Sequence, residues 1–241
     1  MATRQVAIVC VCCALIVGAS SSVSAVMIDA FTDRLPPNPD LPGSGWQILF
    51  VGTVWDPVGQ YVTHPVSDAA SQSSLPGVLA GDRHVEIYYV SGTASASVLN
   101  GLFFNNDVGG RSTLELYYGM NEDLNADLTV YAGTQLEINV LDGDMSSGPR
   151  PLPCTVTVTS CKGTPQEATA SVTLDLIGNG VYAYPFTGFP GVDFADVDAL
   201  RVVVDASQAS AVDVLIGSFE TDGDSVPAQS STWGQIKWLW E

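Results

Sequence analysis

Basic residues are scarce in this chain. Lys and Arg number 8 in 241 residues and His only 2, against 26 Asp and Glu, for a net charge of −18. Nucleic-acid affinity is built from cations that displace phosphate counterions, so nucleic acid and anionic lipid surfaces are not expected as partners. Charge of either sign is thin, at 14% of residues. His64 and His84 form no His-x-x-x-His pair that would suggest zinc. No Gly-x-Ser-x-Gly elbow or phosphate-binding loop occurs. A glycosidase needs only two carboxylates about a bond, and 26 acidic residues supply candidates too freely to single out a pair. The sequence therefore reads as non-catalytic, and no cofactor is implied.

Long apolar runs are also missing beyond the first 25 residues. There, Arg4 precedes an apolar stretch of about 13 residues, Val6 to Gly18, and Val23-Ser24-Ala25 offers small residues at a cleavage site. This reads as a signal peptide over residues 1–25, because about 13 helical residues cover only ~20 Å of a ~30 Å hydrocarbon core. No transmembrane segment is expected once it is removed. Without Arg4, seven basic residues face all 26 acidic ones, and the chain should be secreted, outside the cell or at its surface.

Only Cys154 and Cys161 follow the leader. Thr155 to Ser160 between them alternate as a strand, which would hold the two Cα atoms ~23 Å apart, whereas a disulfide needs less than ~7 Å. No mutual bridge is expected.

What the chain has instead is alternation. With 23 Gly and 14 Pro it is no helical bundle. The Pro-rich segment from Asp29 to Gly45 is extended and irregular. Strands are predicted at Trp46–Val54, His84–Val90, Ser95–Phe104, Ser112–Tyr118, Leu124–Tyr131, Gln135–Leu141, Cys154–Cys161, Ala168–Ile177, Val181–Phe186, Ala199–Asp205 and Ala211–Phe219. A polar loop spans Asp56 to Arg83, and Gly178-Asn179-Gly180 marks a tight hairpin turn. Many short strands without a long helix signify an all-β fold, a two-sheet antiparallel β-sandwich over residues 26–220. The expected core is Val85, Ile87, Tyr89, Leu114, Leu116, Tyr118, Leu136, Ile138, Val140, Ala170, Val172, Leu174, Leu176, Leu200, Val202, Val204, Val212, Val214 and Ile216. Opposite faces carry Glu86, Tyr88, Glu115, Tyr117, Glu137 and Arg201, while Thr155, Thr157, Thr159, Thr169, Ser171 and Thr173 form an uncharged polar surface.

Met27-Ile28-Asp29-Ala30-Phe31, together with Gly191-Val192-Asp193-Phe194-Ala195-Asp196-Val197-Asp198-Ala199-Leu200-Arg201-Val202, resembles the opening and closing strands of jelly-roll modules of exported bacterial proteins, similar to galactose-binding and carbohydrate-binding domains. The resemblance covers roughly Ile28 to Phe219 and implies a jelly-roll fold. Residues 221–231 have the composition of a linker. The Trp-rich tail, residues 232–241, is similar to the Ser-Thr-Trp-Gly-x-Ile-Lys ending of exported bacterial proteins, which implies a sorting, anchoring or docking element. Trp233, Ile236, Lys237 and Trp240 would also share one side of a helix that docks on the chain's own sandwich.

Asp123, Asn125 and Asp127 have the Asp-x-Asn-x-Asp spacing of the front half of a calcium loop, but Leu128 stands where that loop needs Gly and Thr134 where it needs Glu. The alternative is an exposed strand face. Asp142-Gly143-Asp144 reads as a turn first and a cation ligand second. For function, the leading expectation is an exported, non-catalytic surface or matrix protein with a structural or adhesive role, whose partners are extracellular glycans or cell-surface components. The alternative is a glycan-binding module. Tyr88 and Tyr117 would stack on a sugar ring while Glu86, Glu115, Glu137 and Arg201 bond its hydroxyls. A glycoside-active enzyme is the second alternative.

Overall fold

A computed structural model describes residues 25–40, 47–55, 61–64, 66–144 and 152–223. The leader, Trp46 and the tail from Asp224 onward lie outside the described residues. Fourteen strands form among the described residues. They are β1 (Met27–Asp29), β2 (Ile48–Trp55), β3 (Tyr61–His64), β4 (Ser67–Gln72), β5 (Arg83–Ser91), β6 (Ala94–Val98) and β7 (Leu102–Asn106), followed by β8 (Arg111–Tyr118), β9 (Gln135–Asp144), β10 (Leu152–Ser160), β11 (Ala168–Leu176), β12 (Gly180–Pro185), β13 (Val197–Asp205) and β14 (Asp213–Thr221). Helical structure among them is confined to three 3-10 turns, Leu79–Gly81, Val130–Ala132 and Phe186–Gly188.

The strands make two antiparallel sheets, the expected β-sandwich. One runs β12-β9-β14-β7-β6-β2-β3, with β1 continuing beyond β7 along the edge of β14; the other runs β11-β10-β13-β8-β5-β4. Period two explains the packing, since each strand sends alternate side chains inward. Val85 and Ile87, Leu114 and Leu116, Val156 and Val158, and Leu200, Val202 and Val204 face Leu136, Ile138, Val140, Val214 and Ile216, all almost wholly buried. Each such side chain contributes about 1.5–3 kcal/mol relative to exposure.

Several expectations are corrected. Ser95–Phe104 is not one strand but the hairpin β6–β7, turned at Asn100 and Gly101, both at positive φ (51° and 147°). The loop before Arg83 contains β3, only four residues long, and β4, whose Ser- and Ala-rich sequence carries too little apolar contrast to show a period. Segment 124–131 keeps its alternation, with Leu124, Ala126 and Leu128 buried, yet it is no strand: Asn125 at φ 47° turns the backbone and a single bridge joins Ala126 to Val197. β9 runs through Asp144, so Asp142-Gly143-Asp144 is strand and not turn. Tyr89 is 38% exposed because the β5–β8 register slips between Tyr89 and Ser91. Ala170, Val172 and Leu174 are half-buried, since β11 is an edge strand. Cys154 and Cys161 are free thiols, one inside β10 and one just past its end.

Candidate functional site

The six-stranded sheet turns its other side chains outward, and the register lines them up across all six strands. One row runs Ser71–His84–Tyr117–Arg201–Thr157–Ser171, each residue directly opposite the next. Beside it runs Ala69–Glu86–Glu115–Val203–Thr155–Thr173, and Ser67–Tyr88–Thr113–Asp205 begins a third. At a strand spacing of about 4.8 Å, five intervals give the first row a length of roughly 24 Å. The structure thus gathers five of the six expected binding residues, Glu86, Tyr88, Glu115, Tyr117 and Arg201, on one face.

Glu137 is the exception. It belongs to β9 of the other sheet, opposite Ala183 and Glu220, and accepts a hydrogen bond from Gln135 Nε2 at 2.7 Å. Periodicity assigns a residue to a face of its own strand; which sheet that strand joins depends on pairings that periodicity does not encode.

Contacts within the face are dense. Arg201 presents its guanidinium edge to Glu115, with Nη2 at 2.5 Å from Oε1 and Nε at 3.1 Å from Oε2. The Tyr117 hydroxyl also donates to Glu115 Oε2. The Arg201 guanidinium lies over the Tyr117 ring, 5.3 Å from its centroid, on the side of the row away from His84. Planar bidentate pairing and ring stacking are the two geometries that suit Arg and not Lys. The hydrogen bond to Glu115 holds Arg201 above its usual range. Burial, and then the bond to Glu115, pushes the Tyr117 hydroxyl up, and burial together with Glu86 raises that of Tyr88. Glu86 and Glu115 face each other directly; Arg201 pairs with the Glu115 carboxylate, and His84 Nε2 lies 3.5 Å from Glu86 Oε2.

His84 is the binding candidate that sequence reasoning missed, although it shares the outward phase of Glu86 and Tyr88. Its Nδ1 lies 2.7 Å from Ser71 Oγ, and its ring is tilted 57° against Tyr117 at 5.8 Å. Ser71 had no sequence signal, because β4 was not visible. Beyond Arg201 the face is mostly hydroxyl, with the exposed Asp175 at its end: Thr155–Thr173, Thr157–Ser171 and Thr159–Thr169 are paired through their hydroxyls at 2.8, 2.8 and 2.9 Å. A depression of about 180 Å³ at this junction is lined by Tyr117, Met120, Thr157, Thr159, Ala199 and Arg201.

The expected calcium ligands are engaged otherwise. Asp123 Oδ1 accepts from Lys162 Nζ at 2.6 Å, Asn125 Nδ2 donates to the Asp123 carbonyl, and Asp127 Oδ1 accepts from Thr129 N and Oγ1 at 2.8 and 2.6 Å. Those Thr129 bonds hold the Asp127 carboxyl below its usual range. Among the described residues, no three His, Cys, Asp or Glu side chains gather to hold a metal ion.

No family model matches the chain. No curated protein matches it significantly. Among solved structures, similarity is found to an exo-β-agarase (9% identity, TM-score 0.37), where the match covers 82% of this chain and 25% of that one. A family 11 carbohydrate-binding module from Clostridium thermocellum, in complex with a β-1,3-1,4-mixed-linked tetrasaccharide, matches at 12% identity and TM-score 0.31, over 73% of this chain and 96% of that one. An arabinose-bound α-L-arabinofuranosidase matches at 11% identity and TM-score 0.27, over 83% and 31%. The chain thus spans a quarter of the agarase's length. At these scores the likeness assigns neither ligand nor activity.

Proposed function

We propose that the outer face of the six-stranded sheet is a non-catalytic glycan-binding surface. One observation carries this reading: the register sets two tyrosines, a bidentate Arg–carboxylate pair, a histidine and a ladder of hydroxyls in adjoining rows across the sheet. Sugars present an apolar C–H face and a rim of hydroxyls, which aromatic rings and fixed polar groups match. The ligand would be uncharged. Arg201 is already committed to Glu115, and a chain of net charge −18 repels polyanionic glycans. Catalysis is not part of this reading; the Glu115 carboxylate is taken up by Arg201 and the Tyr117 hydroxyl.

The leader-like segment supports export, and no helix among the described residues is long and apolar enough to cross a membrane. A surface or matrix location fits both. Affinity electrophoresis through soluble neutral polysaccharides tests the proposal. Tyr117→Ala should lower affinity about tenfold, the loss of one good aromatic contact, while leaving the melting temperature near that of the parent. Equal retardation of parent and variant, or no retardation by any neutral polymer, would overturn it.

A further inference from the structure

The opposite side of the sandwich carries a recess of about 330 Å³ on the outer face of the eight-stranded sheet. It is built on β7, β14 and β9. β7 sends Leu102 and Phe104 inward and leaves Phe103 and Asn105 outside; β14 buries Val214 and Ile216 and turns Asp213 and Leu215 out. Phe103 stands opposite Leu215, and Leu215 opposite Asp142; Asn105 stands opposite Asp213.

Two departures from regular structure shape this place. The β9–β14 register slips on both sides of Ile216, and both Leu141 and Asp142 are exposed although they are consecutive. Bulges re-aim side chains in this way and occur preferentially beside functional sites. Bare glycine backbone lies under two leucines here, Leu215 in the recess lining and Leu141 outside it. A Cβ on Gly217 would fall 2.6 Å from Leu141 Cγ, and one on Gly101 would fall 2.5 Å from Leu215 Cδ1, so each leucine lies flat over a bare backbone. Phe103, 42% exposed, lines the recess opposite Leu215. On the polar side, Asn105 Nδ2 donates to Asp213 Oδ1, which fixes that carboxylate, and Asp142 lines the same recess.

An apolar floor, one aromatic wall and two carboxylates with an amide on one rim suit a pyranose ring. Its C–H face would lie on Phe103 and Leu215 while its hydroxyls donate to Asp142 and Asp213. With carboxylates and no cation among the described residues of the lining, uronic and sulfated sugars would be repelled. We propose that this recess is a second glycan site, specific for uncharged pyranose units, and that the protein cross-links two glycan chains from opposite faces of the sandwich. The cross-linking, though not the second site, rests on the reading of the Tyr117 face given above.

Amide-resolved NMR titration with linear neutral tetrasaccharides (gluco-, manno- and xylo-configured) tests it. At least one should shift two separate groups of signals, one around Phe103, Asn105, Asp213 and Leu215 and one around His84, Tyr88 and Tyr117. Phe103→Ala should abolish the first group alone, and the conservative Asp213→Asn should weaken it about tenfold, the loss of a charged hydrogen bond. Turbidity with the corresponding long polymer should fall to the background level in Phe103→Ala. Shifts confined to the Tyr117 face would overturn the second site and leave the first. Shifts confined to the Phe103 recess would uphold the second site and overturn both the first and the cross-linking. No shift at either would overturn both sites.

Discussion

The Asp29 carboxylate and the Arg83 guanidinium form an ion pair inside the sandwich, with Nη1 at 3.1 and 3.0 Å from the two carboxylate oxygens and neither side chain effectively exposed. Asp29 ends β1 of one sheet and Arg83 begins β5 of the other, so the pair ties the two layers together across 54 residues of sequence. Tyr118 and the Phe31 amide also donate to Asp29, at 3.0 and 2.7 Å. Arg83 Nη2 donates to Gln72 Oε1 and the Asp33 carbonyl, and its guanidinium lies 5.9 Å from the centre of the Phe31 ring. Burial holds the Asp29 carboxyl above its usual range against the opposing pull of Arg83.

Removing one partner strands the other in the interior. Asp29→Ala should destabilise the fold by about 3–5 kcal/mol, whereas replacing both residues with apolar ones of similar volume should cost much less. Urea unfolding of the single and double variants measures this; additive losses would show that the two residues do not act as a pair.

Asp222 sets an acid-side limit. Burial pushes its carboxyl up, but hydrogen bonds from Thr134 Oγ1 at 2.5 Å and Gln135 N at 2.7 Å outweigh that and hold it below its ordinary value of 3.8. A depressed folded pKa contributes stability that is present above the unfolded value and lost as pH falls through the folded one. The melting-temperature gap between parent and Asp222→Asn should therefore be widest above the ordinary carboxyl value of 3.8 and close as pH falls below it. A gap independent of pH would contradict this assignment.

The two thiols should react unequally. Cys154 is fully buried and its thiol is pushed up to about 12, whereas Cys161 is half-exposed. Burial and the neighbouring Asp196 also raise the Cys161 thiol, so native labelling after leader removal should modify Cys161 slowly but before Cys154, which should react only on unfolding. A mass two hydrogens short of the dithiol form would overturn the strand that separates them.

Calcium should matter little at Asp123, which Lys162 already occupies. A site filled only at high calcium adds little stability, so a millimolar addition should raise the melting temperature by less than about 2 °C. A larger rise that disappears in Asp127→Ala would restore the cation reading.

The sequence by itself determined the all-β class, most strand positions and the inward phase of Val85, Leu114, Leu136, Leu200 and Val214, because side-chain alternation is a local property of an extended backbone and needs no partner to be read. It also set the outward phase of Glu86, Tyr88, Glu115, Tyr117 and Arg201. Which strands become neighbours was decided only by the tertiary structure. That step brought His84 beside Tyr117 and laid Arg201 on Glu115, sent Glu137 to the other sheet, and joined Phe103, Asp142 and Asp213 around one recess from three strands distant in sequence. The β6–β7 turn and the slip that exposes both Leu141 and Asp142 belong to the same level. The physical reason is that pairing and register are fixed by contacts between segments far apart in the chain, where the burial of many side chains at once outweighs any local preference.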